Sequence, residues 1–338
     1  MSIIQTVIIQ ATGLPPEKIH IRERTPLEIQ SNRLYDVSAN GRHLVAKEFL
    51  RTEAEPLAPA REFQALQQLA PFDVAPQPVF YEPDMAPVVV YEYLDGVMWD
   101  RTRPRPDQLS QLSRIWSTFH QVDPAYLVTA NSFSQTSALL TRIETTFSEY
   151  AHWVKQAFPA GRDAAALCLG LLDHLGEVVQ ALATIPPILS FCRLDARFAN
   201  IIQRPDGRIG LVDWEDSGLG DVAFALADMM GHVNQEDLLT WDDWQDAFAP
   251  YLAEREKEDS GFRGRVHLNQ ALVPAFWLAI LLPSGIRQTQ AGTVSLWQLN
   301  GLSANLRLRR YLARALAWPN MNFSQTLNDL SPVNFFPE

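Results

Sequence analysis

Hydrophobic and polar positions alternate with a period of two in the first third of the chain and recur every three to four residues over much of the remainder. From Leu27 to Phe49 the alternation predicts a hairpin. One strand runs near Arg33 to Ser38, the tight-turn pair Asn40-Gly41 follows, and a second strand extends from Arg42 to Phe49. Val45, Lys47 and Phe49 share one face of that second strand. A Lys in line with apolar neighbours either snorkels at the sheet margin or reaches for an anion in a cleft, and alternation alone favours snorkelling. Ala60 to Ala70 carries Phe63, Leu66 and Leu69 as a helical stripe, with Glu62 one turn before Leu66 and beside that stripe. The β-branched run Val88-Val89-Val90, closed by Asp95-Gly96, predicts a buried strand leaving a sheet.

Beyond Gly96 the helical period takes over. Helices are predicted over Asp107 to His120 with Asp107 as N-cap, Leu139 to Ala157, Ala164 to Ala183, and Val222 to His232 with Asp221 as N-cap. Trp241-Asp242-Asp243-Trp244 opens an amphipathic stretch, Asn269 to Leu282 is an apolar helix containing Phe276 and Trp277, and Leu296 to Ala317 is a last helix. Arg307, Arg309, Arg310 and Arg314 on that last helix are read as a solvated face. One hairpin interrupts the helical part: Ile201-Ile202-Gln203, a turn at Pro205-Asp206-Gly207, then Arg208 to Val212. Antiparallel pairing sets the start of the first strand beside the end of the second, so Asn200 and Asp213 arrive together, with Asp195 on the loop just before. Each residue alone reads as a turn residue or a solvated strand end. Jointly they offer three oxygen-bearing side chains, the ligand type that Mg²⁺ prefers.

The segment resembles the catalytic stretch of the kinase-like phosphotransferases, the aminoglycoside phosphotransferase and choline kinase group. Their pattern is His-Gly-Asp, four residues, Asn, a short hairpin and Ile-Asp-Trp-Glu; here it reads Arg193-Leu194-Asp195, four residues, Asn200, then Val212-Asp213-Trp214-Glu215. Gly220 to Ala227 resembles the family's Gly-Asp-Pro-Ala-Tyr-Asp-Leu-Ala. The resemblance implies an α+β, protein-kinase-like bilobal fold, with a small antiparallel β lobe over residues 1–95 that binds nucleotide. A larger helical lobe over 96–338 would hold the catalytic and acceptor sites. It implies ATP and Mg²⁺ as cofactors and phosphoryl transfer to the hydroxyl of a small molecule. Asp195 would orient that hydroxyl and accept its proton, and Asn200 and Asp213 would bind Mg²⁺. Lys47 would hold the α- and β-phosphates with Glu62 as its ion-pair partner, Glu53 and Glu55 being the alternatives. Arg197 would either stabilise charge on the γ-phosphate or pair with a nearby acid. The backbone of Glu92 and Leu94 would meet adenine. Ser31 and Asn32 stand where many kinases carry a Gly-rich loop, and would either contact phosphate or form an ordinary turn. A cationic or amine-bearing acceptor would be drawn by Glu215 and Asp216 and by the aromatic faces of Trp241, Trp244 and Trp277.

The chain departs from the pattern at Arg193 for His, Leu194 for Gly and Ala225 for Asp. These departures support an alternative, a catalytically weak nucleotide-binding regulator or scaffold, against which the retention of Lys47, Asp195, Asn200 and Asp213 argues. No Ala-Pro-Glu follows Asp213, so a protein kinase is not supported. With 338 residues, 47% hydrophobic and 20% charged, the chain can bury a sizeable core. Its formal net charge of -11 disfavours nucleic acid as a partner and suits a cationic small molecule. Cys168 and Cys192 form neither a disulfide framework nor a metal spacing, so a reducing cytoplasm is the simplest setting. The N-terminus lacks a basic n-region. The longest apolar stretch, Ala271 to Leu282, contains Pro274 and falls short of the ~20 residues of a spanning helix, so no membrane segment is expected.

Overall fold

Asn40 and Gly41 both adopt positive φ, 50° and 80°, and close a two-residue turn between β2 (Asn32–Ala39) and β3 (Arg42–Phe49). The structure is a computed structural model that describes residues 1–337 apart from 26–31, 54, 100–101, 124, 126–135, 233–234, 236–237, 294–297, 300–301 and 319–321. Ser31 therefore lies outside the described residues. By packing, the chain divides into two compact units: residues 1–131 with 190–220, and residues 132–189 with 221–338.

The first unit is built on a five-stranded antiparallel sheet. Its order is β1 (Ile19–Glu23), β2, β3, β5 (Val88–Glu92) and β4 (Pro78–Phe80). Helix α1 (Ile3–Thr12) starts at a capping box of Ser2 and Gln5. It buries Ile4, Val7 and Ile8 against Val37, Ala39, Leu44, Ala46, Val88 and Val90. That helix was not legible, because its apolar residues are crowded enough to fit more than one period. Alternation then puts Val45, Lys47 and Phe49 on the other face, all buried. Helix α2 (Ala58–Leu69) lies on that side and turns Glu62 toward Lys47.

A three-stranded sheet follows the order β6 (Val97–Met98), β8 (Ile201–Gln203), β9 (Ile209–Leu211). The predicted hairpin pairs Ile201 with Leu211 and Gln203 with Ile209. Strand β7 (Ser190–Arg193) pairs antiparallel with β10 (Ser217–Gly220). Helix α3 (Pro106–Phe119) begins two residues earlier than an Asp107 cap implies: Arg105 is its N-cap, Pro106 occupies the first turn, and Asp107 lies inside it.

The second unit is helical: α4 (Thr136–Ala157), α5 (Arg162–Ala183), α6 (Val222–Gly231), α7 (Trp241–Glu258), α8 (Phe262–Gln290), α9 (Ala304–Ala317) and α10 (Phe323–Asp329). Asp221 caps α6 as predicted, accepting from the Ala223 amide at 3.0 Å. Helix α8 continues through Pro274 and Pro283, well beyond the predicted Asn269–Leu282. Packing against α4, α5, α6, α7 and α9 outweighs the hydrogen bonds each proline removes. By length and composition alone α8 and the segment Pro159–Ala183 could cross a bilayer, but most of the apolar window of α8 is buried inside the unit. The predicted helix from Leu296 is corrected: β11 (Gln298–Leu299) and β12 (Leu302–Ser303) pair as a short hairpin, and α9 starts only at Ala304, capped by Ser303. Its arginines are not a solvated face either, since Arg307 is buried and Arg309, Arg310 and Arg314 are half-buried.

Candidate active site

Lys47 leaves β3 on the face away from α1 and is only 3% exposed. Its Nζ lies 2.5 Å from Glu62 Oε2, 2.5 Å from Asp213 Oδ1 and 3.1 Å from Glu215 Oε2. Burial works against the ammonium charge, but the carboxylates of Asp213, Glu62 and Glu215 outweigh it and hold the Lys47 pKa well above the usual lysine value. Glu62, 1% exposed, is raised by burial while Lys47 pulls it down. Glu55, an alternative partner for Lys47, pairs instead with Arg61 at 3.3 Å. Arg61 itself is buried and its Nε donates to the Glu215 carbonyl at 2.8 Å, which ties α2 to the segment after Asp213. No sequence signal marked Arg61, because its partner is a backbone carbonyl more than 150 residues away.

The hairpin delivers the second half of the site. Asn200 Nδ2 donates to Asp213 Oδ2 at 3.2 Å and to the Asp195 carbonyl at 3.3 Å. The Val212 amide donates to the Asn200 carbonyl at 3.0 Å, closing the end of the hairpin. Asp195 and Asp213 both adopt left-handed backbone, φ 53° and 67°, a conformation that costs a non-glycine residue about 1–2 kcal/mol. Burial would raise the Asp213 carboxyl, yet the charge and hydrogen bond of Lys47, with Arg197 and Arg193 adding to them, hold it below the usual carboxylate range. Arg197 Nε stands 3.6 Å from Asp195 Oδ2, so this pair is formed. Oxygen atoms of Glu62, Asp213 and Glu215 lie within 4.8 Å of one another, a donor set suited to a hard cation, with Lys47 already in contact with all three.

Residues 23–266 match the phosphotransferase enzyme family. The chain belongs to that family. A comparison with curated proteins finds no match. Among solved structures, the choline kinase LicA from Streptococcus pneumoniae is similar at TM-score 0.61 and 15% identity, over 94% of this chain and 100% of that one. An ethanolamine kinase from Plasmodium vivax gives TM-score 0.61 and 14% identity over 97% and 87%. A putative aminoglycoside phosphotransferase from Ralstonia eutropha gives 0.59 and 16% over 97% and 98%. The phosphotransferase fold is thus the α+β, protein-kinase-like one that the sequence implied.

Other predicted positions of this phosphotransferase-family chain fall less simply. Asn32 Nδ2 donates to Glu215 Oε2 at 2.5 Å. Glu215 is therefore turned toward Lys47 and Asn32. Asp216 is half-buried; burial first, then Glu215, Asp195 and Asp213, push its carboxyl up to about 8. The Glu92 carboxylate pairs with Arg42 at 2.6 Å, and its backbone is registered against Leu44. Leu94 packs where a side chain on Gly210 would stand: a Cβ there would meet Leu94 Cδ2 at 2.5 Å. In the second unit Trp244 is 1% exposed and packs on Phe248, which makes it core. Trp241 is half-buried. Trp277, also half-buried, donates its Nε1 to Asp228 Oδ1 at 2.6 Å, stacks on Tyr311 and meets the His232 ring edge-on. Asp228 was missed, since an acid within an apolar helix shows no motif.

Proposed function

We propose that this chain transfers the γ-phosphate of ATP to a hydroxyl of a small, cationic or amine-bearing molecule. The observation that carries the reading is the convergence of Lys47, Glu62, Asn200 and Asp213, with Asp195 joined to them through the Asn200 amide. In this reading Lys47, fixed by Glu62, holds the α- and β-phosphates, and Asn32 and the backbone of Glu92 and Leu94 contribute to the nucleotide site. Ser31 remains a further candidate there. Asn200 and Asp213 would hold Mg²⁺. The fit rests on their side-chain ends being 3.2 Å apart and on both being oxygen-bearing, the Asn200 amide needing only to turn its oxygen inward. When bound, the ion would offset phosphate charge. Asp195 orients the acceptor hydroxyl and takes its proton as the new P–O bond forms and the bond to ADP breaks, and Arg197 keeps Asp195 in place.

The cationic acceptor is supported by two things. Fold relatives are named for choline, ethanolamine and aminoglycosides, all amine-bearing or quaternary. Within the chain, an aromatic face and a buried carboxylate, Trp277 with Asp228, lie side by side, and both attract cations. Nucleotide use is supported by a LicA structure in complex with AMP. Cys168 and Cys192 are buried free thiols, as suits a cytoplasmic enzyme.

The test is a thermal-shift titration with Mg-ATP together with an ADP-release assay over choline, ethanolamine, aminoglycosides and neutral sugars. Mg-ATP should raise the melting temperature, and Lys47→Ala or Asp213→Ala should abolish the rise. Asp195→Asn should keep the shift while turnover falls about 10²–10⁴-fold. A shift without turnover on any acceptor would favour the nucleotide-binding regulator.

A further inference from the structure

Arg193 stands where the family pattern has His, at the end of β7 and directly before the catalytic segment. It is 1% exposed, and its Nη2 donates to two successive carbonyls, Val212 at 3.0 Å and Asp213 at 3.2 Å. The guanidinium lies over the ring of Trp214 at 4.6 Å. That ring is itself immobilised: it is fully buried, its Nε1 donates to the Leu211 carbonyl at 2.9 Å, it stacks on Phe191 and meets Phe119 edge-on. The far side of the turn is tied by the Leu194 amide, which donates to the Asp216 carbonyl at 3.0 Å.

Two carbonyls facing one donor is what a left-handed residue between strands produces, and Asp213 is that residue, with φ 67°. Released from the donor, Asp213 would relax toward ordinary extended or helical φ, and its carboxylate would swing away from Lys47 and Asn200. A planar guanidinium suits the task, because the two hydrogens of Nη2 can each reach one oxygen while the face stacks on an indole. A single imidazole donor cannot bridge them with that geometry. We propose that Arg193 is a positioning residue: by bridging the Val212 and Asp213 carbonyls while stacked on Trp214, it locks Asp213 in the left-handed conformation that aims its carboxylate at Lys47 and Asn200. Its importance for turnover rests on the phosphotransferase reading above, but its effect on the turn does not.

The experiment compares the parent with Arg193→Met, which keeps length and contact with Trp214 but has no donor, and with Arg193→Lys and Arg193→His. Each is assayed well below its own melting temperature. Folded Arg193→Met should bind Mg-ATP at least 10-fold more weakly and lose at least 10-fold in kcat, with KM for the acceptor within twofold. Arg193→Lys should recover part of the loss, and Arg193→His less than the parent value. In parallel, amide hydrogen exchange of the segment 209–217 should be at least 10-fold faster in Arg193→Met. A melting temperature that falls while nucleotide affinity, kcat and exchange of that segment stay within twofold of the parent would overturn the proposal and leave Arg193 as packing alone. If Arg193→Met does not fold, Arg193→His decides, since its single imidazole donor cannot hold both carbonyls: nucleotide affinity, kcat and exchange of 209–217 all within twofold of the parent would overturn the proposal. If the parent neither binds Mg-ATP nor turns over, the phosphotransferase reading fails, and the exchange rates alone then decide the role of Arg193.

Discussion

Lys47 shows how one side chain can sit far from water and remain charged. Three carboxylates within 3.1 Å supply the field that hydration would otherwise provide, and the same carboxylates would repel one another without it. Asp216 is the opposite case: burial and the neighbouring charges of Glu215, Asp195 and Asp213 outweigh the opposing charge of Arg61, and its carboxyl rises to about 8 from an ordinary 3.8. The native state therefore keeps a proton that the unfolded chain releases, and between about pH 4 and 8 this group's contribution makes stability fall as pH rises. Asp216→Asn removes that contribution, so the variant's melting temperature relative to the parent should climb steadily from pH 4.5 to 8.5. Parallel curves in the two proteins would refute the burial-and-repulsion account. At this scale the meeting of Asn200 with Asp213 was legible, because the hairpin register carries Asn200 to Val212 and so beside Asp213. Arg61 and Asp228 were not, since each is defined by a partner distant in sequence.

Among the elements, the hairpins with a marked turn and the bodies of the amphipathic helices were readable, whereas several helix bounds, those of α3, α8 and α9, were not. The β2–β3 turn is dictated by Asn40-Gly41, whereas α8 continues through two prolines because five other helices hold it. The α9 arginines misled for a related reason: an amphipathic stripe reports a face, but not whether α8 and α10 both cover it. Asp221 at the start of α6 was read as a cap, and the fold adds a second duty, a buried pair with Arg265 at 3.2 Å, while Arg265 also holds Asp259 at 2.6 Å. The two duties can be separated. Asp221→Asn keeps a capping oxygen and loses the charge; Asp221→Ala loses both, so it should be less stable than Asp221→Asn by about 1 kcal/mol, the usual worth of a cap. Chemical denaturation checks this, and equal stabilities would mean the cap contributes nothing. Gly96 offers a sharper case: at φ 149° a Cβ would stand 2.3 Å from the Gln203 carbonyl oxygen, so Gly96→Ala should force β6 off β8. A loss of about 2 kcal/mol or more is expected, measurable in the same denaturation series, and a neutral result would mean that β6 is not held there.

For the whole molecule the governing quantity is charge. Residues 190–220 return to the first unit, so the proposed nucleotide and metal residues, from Asn32 to Asp213, belong to one compact body, while Trp277 and Asp228 belong to the other. The two proposed substrates also differ in sign: Mg-ATP is anionic and the acceptor cationic, and both approach a protein of formal net charge -11. Such a surface draws the acceptor in and holds the nucleotide off over a range set by salt, about 30 Å at 0.01 M and about 8 Å at physiological strength. Raising ionic strength across that interval should lower kcat/KM for a permanently charged acceptor such as choline and raise it for Mg-ATP. A neutral polyol tested in the same series should show little change, which separates screening from a general salt effect on the enzyme. Stopped-time assays of ADP release at saturating co-substrate give each slope directly. If choline and the polyol respond alike, the acidic surface does not select the acceptor, and specificity then resides entirely in short-range contacts such as those of Trp277 and Asp228.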